Sequence, residues 1–447
     1  MPTRNVMIIT AAMLLSIVCY SKVPQNQYAR FYERATKELG ERYVHEVDQK
    51  KLFQGAMTGM MATLDEHSTY LPPRQFEGLD AILNQEFGGL GIQIERVEES
   101  TELRIITPVL SSPALEAGLQ SGDIIVKIGE QFTKNLPEDE SLNLLRGAEG
   151  TSVQLSIRRM NESELLDFEI TREIIRTSTL RGFQRQNDGQ WNYRLPAPHG
   201  DYLYLNVTDF GQRTTQEVRQ VIEAAEEATG YDGIILDLRG NGGGLLLSAV
   251  SICDLFIDQA KVVEVQYRDE SRNVTYSSDA ATTLDATKPM VILIDRDSAS
   301  ASEITAACLQ DHERAVIIGE RSYGKGSVQD VVVLDASGDN HAIKYTVAHY
   351  VRPSGRNIHR TKPVEQMLPD EDWGVQPNDG YTLTFDDQQR LAYLEDKRKR
   401  FIIKPPAIKP NTDGNSEVTS IEFEDDETVF LDLHLQRAIE YLHSRKL

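Results

Sequence analysis

Three short runs, Tyr202–Val207, Gly233–Leu238 and Val291–Ile294, are apolar at nearly every position. A strand without a polar face must be covered on both sides. Helical patterns near Gln216–Ala228, Leu245–Leu255 and Ser300–Gln310 follow these runs one for one. That alternation predicts an α/β layer. Two of the runs end in special turns. Val291–Ile294 passes through Asp-Arg-Asp-Ser-Ala into Ser300, and Gly233–Leu238 runs into Arg-Gly-Asn-Gly-Gly-Gly244.

A strand that ends in small residues and enters a helix puts a side chain at a helix N-terminus. Backbone N–H groups and the dipole there favour developing negative charge. Ser300 occupies that position. A serine hydroxyl is a poor nucleophile until a base takes its proton. Lys325, in Gly319-Glu-Arg-Ser-Tyr-Gly-Lys325-Gly-Ser-Val-Gln329, lies between two glycines, so its stem can approach another chain closely. A lysine is a base only when neutral. Lowering its pKa from about 10.4 to about 7.5 opposes the ammonium by about 4 kcal/mol, which burial can supply. Alone, each segment reads as an ordinary helix cap or loop; the two together point to a serine–lysine hydrolase. The N–H of Ala301 is a natural oxyanion donor, and the glycine turn ending at Gly244 exposes further N–H groups. It fits neither GxxxxGK[ST] nor GxGxxG, so it is not a phosphate loop.

These segments, in this order, closely resemble the carboxyl-terminal processing (tail-specific) proteases. That family carries its nucleophile in an S-A-S-A-S-E block and its base in a G-E-x-x-[FY]-G-K-G-x-x-Q block. Here Lys325 follows Ser300 by 25 residues, the family's spacing. The resemblance implies Ser300 as nucleophile, Lys325 as base and Gln329 as the glutamine that assists it. The turn Leu238–Gly244 is similar to the family's L-R-x-N-x-G-G turn, which implies an oxyanion amide at Gly244, with Gly243 as second choice. Gly242 stands where the family often has proline, which loosens the turn.

Met61-Ala-Thr-Leu-Asp-Glu-His-Ser-Thr-Tyr-Leu71 resembles the family's segment before its peptide-binding domain, and Arg352–Ile358 its strand-and-turn after the lysine. The stretch Phe87-Gly-Gly-Leu-Gly-Ile-Gln-Ile94 resembles the carboxylate-binding loop of a PDZ domain. The S-P-A-x-x-A-G-[LI]-x-x-G-D pattern follows at Ser112–Asp123. Gly89, Leu90, Gly91 and Ile92 are then the expected peptide-binding residues. Their amides would face a terminal carboxylate while the peptide adds as a strand, with Leu90 and Ile92 lining a pocket for the last residue. The resemblance covers roughly residues 30 to 365.

With 47 Lys+Arg against 69 Asp+Glu, the 447-residue chain carries −22. That balance excludes nucleic acid as a partner, since phosphate binding needs clustered cations. The apolar run Val6–Tyr20 would span about 22 Å, short of a roughly 30 Å hydrocarbon core. It fits a secretory signal or a short uncleaved anchor, which places the chain in the periplasm or cell envelope. If uncleaved, residues 6–20 attach it to a membrane. Cys19 lacks the flanking residues of a lipoprotein motif. Cys253 and Cys308, in apolar helical patterns, read as buried free thiols. No histidine spacing suggests a metal, and no cofactor is implied. His312 lies at the far end of the helix that begins at Ser300, too distant to be its base.

The expected fold is therefore α+β and multidomain. It comprises a signal or anchor (1–24), an N-terminal helical region (25–85), a PDZ-like domain (86–172), an α/β catalytic core with a mixed sheet and packed helices (173–370), and an extension (371–447). Within the extension, Lys404–Pro410 and Thr412–Glu427 read as a linker. Thr428–Leu447 reads as an amphipathic helix with Leu431, Leu435, Ala438, Ile439 and Leu442 on one stripe, packing back on the body. No role is evident for the polar, aromatic insert Phe183–His199. The expected activity is that of an exported serine endopeptidase cutting near the tails it binds. Its partners are polypeptides with apolar C-terminal tails, with a second copy of the chain or a regulatory adaptor as further candidates. A catalytically silent PDZ-type binding protein is the alternative. A non-peptide hydrolase or acyl-CoA enzyme is disfavoured, since no coenzyme signature is present.

Overall fold

The computed structural model describes residues 13, 26–97, 101–160, 162–186, 189–196, 199–279, 284, 287–334, 340–368, 371–401 and 431–445. The expected signal or anchor and the expected linker of the extension lie outside the described residues, Met13 apart. No described helix is long and apolar enough to cross a membrane. Contacts divide the chain into two units, Met1–Phe76 with Gln329–Thr346, and Glu77–Val328 with Val347–Leu447.

In the first unit, helix α1 (Gln27–Arg42) opens where the Asn26 carboxamide accepts the Tyr28 N–H. Helix α2 (Gln49–Met61) opens where Asp48 accepts from Lys50 and Lys51. Both are ordinary N-caps. Strand β1 (Thr69–Leu71) pairs antiparallel with residues 342–344.

Helix α3 (Pro73–Asn84) and β2 (Glu86–Gly89) lead into a PDZ-like fold. Its sheet is built from β3 (Ile92–Arg96), β4 (Leu103–Pro108), β5 (Ile124–Ile128), β7 (Ser152–Arg158) and β8 (Leu166–Thr171), in that order, each antiparallel to the next. The short β6 (Gln131–Phe132) pairs with β5. Helices α4 (Pro113–Glu116) and α5 (Glu138–Leu145) complete it. The strands alternate as one-sided strands should: Val153, Leu155 and Ile157 of β7 face the core with Leu103, Ile105 and Ile125, and their neighbours face out. Strand β9 (Glu173–Arg176) returns to pair with β2.

The second sheet runs β10 (Leu180–Arg181), β13 (Tyr202–Val207), β14 (Gly233–Asp237), β17 (Met290–Ile294) and β18 (Val316–Gly319). The last four are parallel and β10 is antiparallel, so the sheet is mixed. Its strands are apolar throughout because both faces are covered. On one side Leu203, Leu205, Ile234, Leu236 and Ile292 pack with helices α6 (Thr214–Ala228), α7 (Leu246–Asp254) and α8 (Ala301–Asp311). On the other, Tyr202, Tyr204, Ile235, Val291 and Leu293 meet Leu435, Ala438, Ile439 and Leu442 of the C-terminal helix α10 (Leu433–Ser444). Each large side chain so buried contributes roughly 1.5–3 kcal/mol. Packing therefore holds this helix on the sheet. It starts later than its apolar stripe suggests: Asp432 caps it by accepting the Leu435 N–H, and Leu431 lies outside, 60% exposed.

The insert Phe183–His199 contains a small hairpin, β11 (Gln184–Arg185) and β12 (Trp191–Asn192). It seats a helix the sequence did not announce, α9 (Asp387–Phe401), through Trp191 edge-on to Phe401 and Arg400 over the Phe183 ring. Strands β15 (Lys261–Tyr267) and β16 (Val274–Ser277) pair with each other. After Lys325 come β19 (Ser327–Val333) and β20 (Ala342–Val351), and residues 348–351 of the latter pair with β15. Cys253 and Cys308 are both fully buried free thiols.

Candidate active site

The turn from β17 into α8 is sharp. Ser300, the helix N-cap, has φ 60° and ψ −114°, a conformation that costs a non-glycine residue about 1–3 kcal/mol. Its surroundings over-determine it. The Ser298 hydroxyl donates to the Leu238 carbonyl at 2.8 Å and accepts the Asp295 N–H at 2.9 Å. The Asn241 carbonyl accepts both the Ala299 N–H and the Ser302 hydroxyl, each at 2.9 Å. Thus the glycine turn after β14 and the elbow after β17 hold each other.

A single carboxylate organises the rest. Glu303, fully buried, accepts the Ser300 N–H and the Lys325 N–H on one oxygen, each at 2.8 Å. Its other oxygen accepts the Gly324 N–H at 2.7 Å and the Ser322 hydroxyl at 2.6 Å. The backbone nitrogens of Ser300 and Lys325 are therefore no further apart than two hydrogen bonds to one atom. Burial pushes the Glu303 carboxyl up, and these four donors oppose that shift. Tyr350, 2% exposed, donates its hydroxyl to the Lys325 carbonyl. Burial, then the Glu303 charge, holds that phenol well above its ordinary range, so it stays a donor.

Sequence reasoning missed Glu303 and Tyr350. The first had a signal: Ser300-Ala-Ser-Glu303 is the S-x-x-E pattern of a capping box. Tyr350 had none, being one more residue of an apolar strand.

The glycine turn is shaped by contact. Gly243 has φ +106°, and a Cβ there would stand 2.7 Å from Ser300 Cβ and 2.8 Å from the Ala299 carbonyl oxygen. Its N–H donates to the Asn241 side chain at 2.8 Å. The N–H groups of Gly244 and Ala301 have no acceptor among the described residues. Gly243→Ala must therefore displace the elbow or the turn. The expected outcome is a loss of about 100-fold in kcat with KM little changed, since misplacement by about 1 Å costs that much. Steady-state cleavage kinetics would read it, and a wild-type kcat would show that the contact is tolerant.

Gln329 lies in the first unit, where its side-chain N–H donates to Thr346 Oγ1 at 3.2 Å. His312 is at the C-terminal end of α8, with Nε2 on the Lys261 carbonyl at 2.7 Å. In the PDZ-like fold, Gly89 pairs opposite Glu173, and Leu90 is buried in the core at 2% exposure. The Leu90 and Gly91 carbonyls accept from Ala114 and Val109. The N–H groups of Leu90 and Gly91 have no acceptor among the described residues. Ile92 begins β3.

A model of peptidase family S41 matches residues 201–373, and a model of the PDZ domain matches residues 81–158. The carboxy-terminal-processing protease of Bartonella bacilliformis is 32% identical over 413 residues, covering 89% of each chain. The carboxyl-terminal-processing protease of a Synechocystis strain is 35% identical over 318 residues, 71% of this chain and 70% of that one. The carboxy-terminal processing protease CtpA of Bacillus subtilis is 34% identical over 343 residues, 75% and 68%. The chain belongs to the carboxy-terminal processing proteases of peptidase family S41. It is a serine peptidase with a PDZ domain, which sets aside the reading of a silent binding protein.

Proposed function

We propose that this peptidase is exported, captures the C-terminal tail of a polypeptide on its PDZ domain and cuts near that end with Ser300 and Lys325. Neutral Lys325 takes the Ser300 proton as Oγ attacks the scissile carbonyl. The N–H groups of Gly244 and Ala301 hold the oxyanion. Collapse expels the amine, which takes its proton from the Lys325 ammonium, and water then hydrolyses the acyl-enzyme. The likeness to the family's G-K-G-x-x-Q block assigns Gln329 the role of assisting Lys325. Gly89, Leu90, Gly91 and Ile92 bind the tail carboxylate through backbone amides. Export rests on residues 1–24, whose apolar run is flanked by Arg4 and Lys22.

The observation that carries the catalytic part is the Glu303 oxygen that receives both backbone N–H groups of the dyad. A fold with no use for the pair has no reason to tie two such distant segments to one atom. The test is cleavage of an unstructured protein bearing an apolar C-terminal tail. Ser300→Ala is expected to abolish cleavage while tail-peptide affinity stays at the wild-type value. Cleavage by Ser300→Ala at the wild-type rate would sink the reading.

A further inference from the structure

Arg239 is the second residue of the turn that ends in Gly244, and it is buried at 2% exposure. Its guanidinium is gripped from two sides. Asp237 accepts from Nε at 3.0 Å and Nη2 at 2.7 Å, and also from the Arg239 backbone N–H at 3.0 Å. Asp432, 193 residues away in the chain, accepts from Nη1 at 2.9 Å and Nη2 at 3.0 Å, a second fork. Such bidentate, charge-assisted pairs fix geometry as well as charge. The Tyr204 hydroxyl donates to Asp237 at 2.5 Å, and the Tyr393 ring lies 4.5 Å from the guanidinium. Both helices of the extension thus converge on one arginine: α9 brings Tyr393, and α10 brings Asp432 at its N-cap.

Beyond Arg239 the turn is also tied at its far end, where the Asn241 side chain donates to the Val207 carbonyl at 2.8 Å and the Gly243 carbonyl accepts the Phe210 N–H at 2.9 Å, which leaves Arg239 as the anchor of its near end. Gly240 N–H donates to Asp295 at 2.9 Å, and Asn241 bonds to the elbow described above. With α10 undocked, Nη1 of Arg239 would lose its acceptor in a buried place, which a polar donor does not tolerate. Asp237 alone would then hold the guanidinium, and the near end of the turn would lose the second fork that fixes it.

We infer that the C-terminal helix is a positioning element of the active site, and that Asp432 acts through Arg239 to hold the turn carrying the Gly244 oxyanion donor. This rests on the proposed role of Gly244, and it gives the extension a function in the reaction itself. Asp432 touches no reacting atom; it is a positioning residue.

The test compares full-length variants in the tail-bearing protein assay, with kcat and KM measured below the melting temperature. Asp432→Asn is expected to lower kcat about tenfold or more, with KM within about twofold, as for a weakened oxyanion donor. Ile439→Ala loosens the same helix without touching Arg239. It is expected to lower the melting temperature and, since the helix stays docked below that temperature, to lower kcat less than Asp432→Asn does. In an Arg239→Gln background, Asp432→Asn is expected to have no further effect on kcat, since coupled residues are non-additive. If Asp432→Asn does not fold, Asp432→Glu, which keeps the charge and shifts the fork, is put through the same comparisons. A wild-type kcat in the Asp432 variant, or effects of Asp432 and Arg239 that simply add, would overturn the inference. Ser300→Ala serves as the parallel control. Activity in that variant would count against the dyad, whereas an inactive Ser300→Ala beside a fully active Asp432→Asn would count against this inference alone.

Discussion

Lys325→Ala is expected to lower kcat by about 10³- to 10⁴-fold or more, the range lost when a general base is removed from a hydrolase. The loss should fall on the chemical step. The Lys325 N–H is held by Glu303 and its carbonyl by the Tyr350 hydroxyl, so the loop keeps its anchors when the side chain is cut back. Thermal melting and tail-peptide affinity should therefore stay close to wild type. Lys325→Arg is the sharper test. It restores a cation of similar reach, but a guanidinium is never neutral in a protein and cannot accept the Ser300 proton. It should be as inactive as the alanine variant. Wild-type turnover by Lys325→Arg would mean that the position supplies charge rather than a base.

Much of this arrangement could be read in the sequence because it is local. The strands Tyr202–Val207, Gly233–Asp237 and Met290–Ile294 are short, apolar and bounded, and their helices follow within a turn. Ser300 and the glycine turn sit where such strands end. What stayed hidden depends on contacts between distant segments. Glu303 is visible as a capping residue, but nothing in its helix says that it also receives the N–H groups of Gly324 and Lys325. Asp237 and Arg239 lie inside a segment noticed for its glycines, while the second partner of Arg239 is Asp432, far beyond it. Helix α9 escaped for another reason. Its sequence is mostly charged and only Tyr393 is buried, so it has almost no apolar stripe to detect. Its seat, the hairpin in Phe183–His199, was unintelligible without it.

Glu303→Ala is expected to cost both catalysis and stability. Glu303 is an acceptor-only group facing four donors: Ser300 N–H, Lys325 N–H, Gly324 N–H and the Ser322 hydroxyl. Each buried donor left without an acceptor costs about 1–3 kcal/mol, so the loss should reach several kcal/mol unless water enters. Releasing the two dyad amides from one oxygen should lower kcat by about 10²-fold, the usual consequence of displacing reacting groups by about 1 Å. Glu303→Gln should be milder, and the geometry says why. The Ser322 hydroxyl can reverse and accept from the new amide, so the amide nitrogen turns toward Ser322 and Gly324. The Gly324 N–H is then stranded and the Ser322 hydroxyl, which already accepts the Val375 N–H at 2.6 Å, must turn its proton elsewhere, while the carbonyl oxygen keeps Ser300 and Lys325. A pH study separates the two roles of the native carboxylate. Because burial raises the Glu303 pKa, the folded chain binds this proton more tightly than the unfolded chain does. Its contribution to stability therefore falls as pH rises through that window and grows as pH falls. Protonation, however, turns the oxygen that faces Ser322 and Gly324 into a donor, as the amide of Glu303→Gln does, and loosens that half of the clamp while Ser300 and Lys325 stay on the other oxygen. Acidification should thus depress kcat along a limb that Glu303→Gln lacks, without a matching loss of stability from this group. Measuring kcat and melting temperature together across acid pH, in wild type and Glu303→Gln, would show it. Identical acid limbs in the two proteins would mean that the carboxylate holds the fold but not the dyad.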